Sequence, residues 1–564
     1  MKKYTLTIFG LLLFTGFVSS QSKPLPYIMD MVHNNPGDAV YVSKFNQPEI
    51  LRETGFNSKS YFLFDSPMLA IDWNELDPDI LPEGSADREW VIKKAHRLDS
   101  LYNNCKKNGI DVYAMSDLIL FPKRLIQKYG IEKSFGIPTD PMTEKFLRFQ
   151  IHQMFVQFPQ MDGIVVRIGE TYLEDAPFHK GSIQHKDNAD KTIIPLINIL
   201  RDEICVQLNK KLIFRTWWSF DTDEKKYEYI SNKVEPHPNL IFSVKHCEGD
   251  FHRGNPFSKV LALGRHQQIV EVQCAREYEG KGAFPNYVAR GVIDGFEEHQ
   301  YRKNEGKISN IKELYATGKL SGIWTWSRGG GWEGPYPKSE LWCELNAWVM
   351  AQWANHPDES EDSVFNRYAC NVLKLTKTDA AKFRQIALLS EKATLRGLRS
   401  AAYPKDVFPM WVRDEYITFP ELPKDAGKAA VIVAEKEDAV GMWNEIVKLS
   451  KQIHFKDKAT GRVVKVSCEY GRQMYRIFNA LFQLSSIDAG YSSKDNTGFF
   501  IRQYDKAWKT LEELKQKYPA ECPSLYSKTT IRRTGPTVAN DKVNEMRIES
   551  SSRKYKFQNK NRLN

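Results

Sequence analysis

Three carboxylates stand where they could work together: Glu170 in RIGETY, Asp250 in KHCEGDF and Glu277 in CAREYEG. Each follows closely on a short apolar run that reads as a β-strand. Each also has a cation just before it, Arg167, Lys245 and Arg276 respectively. Two further strand-like runs add to the set: LIFRTW carries Arg215 and Trp217, and GIWTWSRGGGWEGPY carries Trp326 and Arg328. The chemistry most economical with such groups is glycoside hydrolysis, which needs one carboxylic acid for the leaving oxygen and one carboxylate to activate water or attack directly. Tryptophans supply stacking and a dry wall that raises the pKa of the acid. A neutral sugar has no need of basic residues beside the carboxylates. A uronic acid does, because Arg and Lys clamp its carboxylate. The bland alternative is that Arg167, Arg215 and Lys245 neutralise Glu170, Asp250 and Glu277 in salt bridges at a protein rim.

Whether these residues meet depends on the elements that carry them. Between residues 25 and 345, eight short apolar runs alternate with longer amphipathic stretches: 27–32, 61–64, 111–115, 163–168, 212–217, 240–245, 269–273 and 322–326. Helical patterns such as ADREWVIKKAHRLDSLYNNCKKNG and TIIPLINILRDEICVQLNK lie between them. Strand and helix alternating eight times is the signature of a (β/α)8 TIM barrel. An open doubly wound sheet would call for a glycine-rich phosphate turn after its first strand, and His33-Asn34-Asn35-Pro36-Gly37 lacks that fingerprint. Catalysis in such barrels sits at the C-terminal ends of the strands, where all three carboxylates fall. After Trp342 helical periodicity takes over, which predicts a barrel over 21–345, an α-helical domain over 346–525 and a polar, basic tail over 526–564.

The chain of 564 residues carries 13 Trp and 25 Tyr, an abundance that suits sugar stacking as well as core packing. Its net charge of +10 is spread rather than gathered on one face, so no nucleic-acid partner is expected. Residues 1–20 read as a secretory signal peptide: basic Lys2 and Lys3, an apolar run over 8–17, then small residues. Export to the periplasm or the extracellular space is therefore expected, with no membrane insertion once the signal is removed. Eight scattered Cys form no CxxC pair and no zinc spacing stands out, so neither metal nor cofactor is expected. A homodimer through the helical domain is a further expectation.

At the sixth and seventh strands, KHCEGDFHRGNPFS and VEVQCAREYEGKGAFPNYV, the chain resembles the α-glucuronidases of glycoside hydrolase family 67. That family has a lysine five residues before a catalytic aspartate, and a glutamate before a tyrosine roughly 28 residues on. Lys245 and Asp250 are five apart here, and Glu277 follows 27 residues later. The resemblance continues through GIWTWSRGGGWEGPYPKSELWCELNAWVMAQWANHPD. It implies Asp250 and Glu277 as the two candidates for general base, Glu170 as general acid, and Lys245 and Arg215 as residues that meet the uronate. Two departures stand out. Arg167 occupies a position where the family has lysine, with Glu174 and Asp175 close by as rivals to Glu170. The family's barrel usually follows a β-rich domain, whereas here the barrel is expected to begin almost directly after the signal segment.

The expectation is thus an exported, exo-acting, inverting α-glucuronidase-like enzyme acting on a plant or algal glycan fragment, with Glu170, Asp250 and Glu277 catalytic. Arg167, Arg215, Trp217, Lys245, Trp326 and Arg328 would bind substrate. The competing classes are a catalytically inactive glycan-binding barrel and a uronate lyase with a His, Tyr or Lys base, for which His33, His246 and Tyr278 are present.

Overall fold

In the computed structural model, eight parallel strands close into a barrel in chain order. They are β1 (Tyr27–His33), β2 (Ser58–Tyr61), β3 (Asp111–Ser116), β4 (Met161–Arg167), β5 (Lys211–Arg215), β6 (Leu240–Lys245), β7 (Gln267–Gln273) and β8 (Leu320–Gly329). The structure describes residues 23–33, 42–116, 119–169, 173–217, 219–247, 251, 253–329, 338–403, 411–412, 417–418 and 422–522. The expected signal segment, the C-terminal tail, Glu170 and Asp250 lie outside the described residues.

Seven strands fall where the apolar runs put them. The second does not: the run YFLF was expected to be the strand, but the strand is SKSY, and Leu63–Asp65 is a 3-10 turn. All four strand residues are buried. The Lys59 ammonium is taken up by the carbonyl oxygens of Phe45 (3.2 Å) and Asn46 (2.9 Å). A buried strand built from Ser, Lys, Ser and Tyr carries no apolar signature, so hydropathy slid the expected strand downstream.

Helices cover the outside of the barrel. Ala86–Lys107 buries Trp90 with Val91, then Lys94, Leu98, Tyr102 and Cys105, a stripe at three- and four-residue spacing. Pro141–Gln157 starts with proline at its first position, and Asp140 accepts the Thr143 N–H at 2.9 Å as its cap. Between β4 and β5 the helical run 189–207 alternates π and α turns around Pro195, whose missing N–H cannot keep a regular α ladder. An antiparallel pair, Ile119–Pro122 with His179–Ser182, joins the connections that follow β3 and β4.

From Leu341 the described chain is helical apart from a two-residue antiparallel pairing, Trp411–Val412 with Ile417–Thr418. Lys377–Leu398, Ala426–Gln452, Lys458–Asp488 and Thr497–Lys517 pack in chain order. One continuous apolar core runs through barrel and helices. Phe284, in the connection after β7, sits among the rings of Trp443, Tyr470 and Tyr475 at 5.6, 6.2 and 5.7 Å. The helices are therefore a buttress for the loops that carry the candidate site.

Candidate active site

Strand register decides which side chains enter the barrel. Glu271 and Gln273 of β7 pair with Trp324 and Trp326 of β8. Lys245 of β6 pairs with Glu271, Ser243 with Arg215 of β5, and Arg215 with Arg167 of β4. Partners across a ladder point the same way, so these residues share one face of the wall. Arg215 and Glu271 bond across the intervening β6, which identifies that face as the lumen.

Trp217, just beyond β5, gathers three cations. The Lys245 ammonium lies 3.5 Å from its ring centroid, and the guanidinium carbons of Arg215 and Arg167 lie at 4.7 and 4.8 Å. Cation–π attraction is strongest where water is excluded, and all four residues are buried. The indole reaches this position by lying on Gly169, where a Cβ would come within 1.8 Å of Trp217 Cδ1. Trp326 forms the next panel: the Arg215 guanidinium is 4.8 Å from its centroid, His33 stacks on it at 4.7 Å and 7°, and Phe251 meets it at 5.1 Å.

Charge inside the lumen is partly balanced. Arg215 Nε donates to both Glu271 carboxylate oxygens at 2.8 Å, and the Ser243 hydroxyl donates to Oε1 at 2.9 Å. Arg215 Nη2, Gln273 Nε2 and the indole N–H groups of Trp217 and Trp326 are buried without a hydrogen-bond partner among the described residues. The atoms left over on these four side chains are all donors. A ligand rich in acceptor oxygens is what such a surface suits.

Glu277 stands at this mouth, 7% exposed, on a turn fixed from two sides. Its own N–H donates to Gln273 Oε1 at 2.9 Å. Arg276, at φ +52°, anchors the turn through Glu279, which is 2% exposed. Glu279 accepts from Arg276 Nη2 (2.8 Å) and Nε (2.9 Å), from Asn286 Nδ2 (2.6 Å) and from the Arg253 backbone N–H (2.8 Å). Arg253 in turn pairs with Glu298 at 2.6 Å and with Glu391 of helix Lys377–Leu398 at 3.2 Å. Asp250 is three residues from Arg253 in sequence, so Glu279 ties the loop after β6 to the loop that presents Glu277.

Of the expected site residues, Arg167, Arg215, Trp217, Lys245, Glu277 and Trp326 gather at the strand ends, whereas Arg328 faces elsewhere. The β1–β8 register shifts after Met31, so that Trp326 pairs with Met31 but Arg328 pairs with Val32. The bulge turns Arg328 to the helix side, where Nε lies 3.2 Å from Glu340 and Nη1 donates to Cys343 Sγ at 3.6 Å. His246 is also withdrawn: burial, then the nearby Arg276 charge, push its imidazole down to about 3, and Nδ1 sits 3.2 Å from the Glu271 carbonyl oxygen. Glu271 and Gln273 were not singled out from sequence. Their signal was present, as polar residues set between Ile269, Val270 and Val272 in a parallel strand covered on both faces. Among the described residues no cluster of three or more His, Cys, Asp or Glu is arranged to hold a metal ion. No described helix is long and apolar enough to cross a membrane.

No family model matches the chain, and no curated protein sequence matches it. Solved structures do. A GH138 enzyme targeting pectin rhamnogalacturonan II superposes with a TM-score of 0.51 at 16% identity, covering 93% of this chain and 67% of that one. The likeness shows the fold alone. Weaker matches are CpGH84B (TM-score 0.43, 10% identity, 87% of this chain and 75% of that one) and an O-GlcNAc hydrolase mutant from Thermobaculum terrenum (TM-score 0.42, 10% identity, 93% and 94%).

Proposed function

We propose that this chain is an exported glycoside hydrolase that removes an α-linked uronic acid from the end of a plant or algal glycan fragment. The observation that carries the reading is the cluster of Arg167, Arg215 and Lys245 around the Trp217 indole, beside Glu277, at the mouth of a (β/α)8 barrel. A buried cationic cluster with aromatic neighbours and surplus N–H donors suits a sugar that carries a carboxylate. The Trp326 panel suits the apolar face of its ring. The fold shared with an enzyme that targets pectin rhamnogalacturonan II supports a cell-wall glycan as the source.

In this reading Glu170 protonates the leaving oxygen, and Asp250 and Glu277 share the attacking water. Inversion follows if water, rather than a side chain, attacks the anomeric carbon; an inverting pair of carboxyl groups stands about 6.5–9.5 Å apart. The test is incubation of the purified protein with α-glucuronylated xylo-oligosaccharides, followed by nuclear magnetic resonance of the first-formed product. Saturated glucuronic acid appearing first as the β-anomer is expected. An α-anomer would mean a covalent intermediate, an unsaturated uronate a lyase, and binding without turnover a glycan-capturing barrel.

A further inference from the structure

Gln273 lies at the C-terminal end of β7 on the lumen face, 1% exposed, in register with Trp326. The two ends of its amide are not equivalent. Oε1 accepts the Glu277 N–H at 2.9 Å, which fixes the orientation of the amide and so commits Nε2 as the end that faces away. Nε2 has no hydrogen-bond partner among the described residues. A buried amide donor left unmade is costly, and a hydrophobic residue in its place, like the neighbouring Val270 and Val272, would avoid that cost. One pleat below, on the same face, Glu271 holds Arg215 through Nε, and Arg215 Nη2 is likewise buried without a partner among the described residues. A neutral donor and a cationic donor are thus held on one wall, each fixed at its other end by a protein acceptor.

We propose that Gln273 is a specificity-determining residue that donates from Nε2 to a carboxylate oxygen of the sugar, next to Arg215, while its Oε1 holds the backbone of Glu277. This rests on the uronate reading above and adds to it a coupling: recognition of the sugar's charge and placement of a candidate base run through one side chain.

The experiment is binding of D-glucuronic acid and of D-glucose to the full chain, followed by tryptophan fluorescence, for the wild type, Gln273→Met and Gln273→Glu. Gln273→Met keeps the volume and loses both hydrogen bonds. Gln273→Glu keeps an acceptor for the Glu277 N–H but supplies no amide donor, and it serves as the second variant should the first not fold. Glucuronate affinity is expected to fall at least tenfold in both, with glucose affinity changing less than twofold. Equal changes for the two sugars, or none, would overturn the role of Gln273 and leave the uronate reading standing. A wild type that does not prefer glucuronate to glucose would instead sink that reading, and the role of Gln273 with it.

Discussion

Arg215 and Glu271 form an ion pair inside the barrel, Nε to both carboxylate oxygens at 2.8 Å, with the two side chains 1% and 0% exposed. The pair spans β5 and β7 over Ser243 of β6, whose hydroxyl completes it. Its value is positional. Two charges taken out of water gain little net stability from each other, but removing one leaves the other buried and unpaired.

Glu271→Ala should therefore destabilise the fold by about 3–5 kcal/mol in urea denaturation, through the stranded Arg215 charge. The double variant Arg215→Met/Glu271→Leu should regain most of that loss and still bind no uronate. If the double variant is as unstable as the single one, packing rather than charge governs this site.

That pair also shows how far the sequence could be read. The alternating apolar runs at 27–32, 111–115, 163–168 and 240–245 carry the barrel, because each strand is buried on both faces and hydropathy registers that directly. The strand ends carry Arg167, Trp217, Lys245 and Glu277 to one mouth for the same reason. Three things escaped. Ser58–Tyr61 is a buried strand of polar and aromatic residues, its Lys59 held by carbonyl oxygens, so hydropathy missed it. Arg328 faces the helices because of a bulge, and one extra residue in a ladder leaves no mark in composition. Glu271 meets Arg215 across 56 positions, a separation only the closed fold brings together.

The outer face of the same wall carries a titrating group. Asp30 accepts from the hydroxyls of Thr325 (2.6 Å) and Ser327 (2.7 Å) and from the Ser327 N–H (3.1 Å), yet burial pushes its carboxyl up to about 6. A folded-state pKa above the unfolded one means that the folded state holds the proton more tightly. The contribution is full below about pH 4 and is lost as pH rises through about 6. Relative to Asp30→Asn, the wild type should therefore lose about 2–3 kcal/mol between pH 4 and pH 7, since each tenfold difference in proton affinity between the two states is worth about 1.4 kcal/mol. Parallel stability curves for the two proteins over that range would show that Asp30 is not the titrating group.

Gly169 makes room for Trp217. Its φ of +148° is open to glycine, and a Cβ there would sit 1.8 Å from the indole. Gly169→Ala should displace Trp217, disperse the cations stacked on it, and reduce uronate binding at least tenfold, at a stability cost of about 1–3 kcal/mol. Trp217→Phe should cost less in binding than Gly169→Ala, since a smaller ring still stacks in place. Unchanged uronate binding in Gly169→Ala would mean that the indole is not part of the sugar site.

Glu279 is the remaining test of how the loops are held. Its two oxygens accept four donors, three from Arg276 and Asn286 on its own loop and one from the Arg253 backbone N–H on the loop after β6. Arg253 also reaches Glu391 of the helical region, so the link runs from the site into the buttress. Breaking it at Glu279 should free both loops together, whereas breaking it at Glu391 should loosen the β6 loop alone. Hydrogen exchange resolves the two: Glu279→Ala should raise exchange in 253–261 and in 274–288, and Glu391→Ala in the first segment only. Turnover should fall at least tenfold in Glu279→Ala with KM changed less than threefold, because the cations proposed to bind the sugar stand on strands that the link does not hold. If Glu279→Ala loosens only its own loop, the Arg253 hydrogen bond carries no coupling between the two candidate bases.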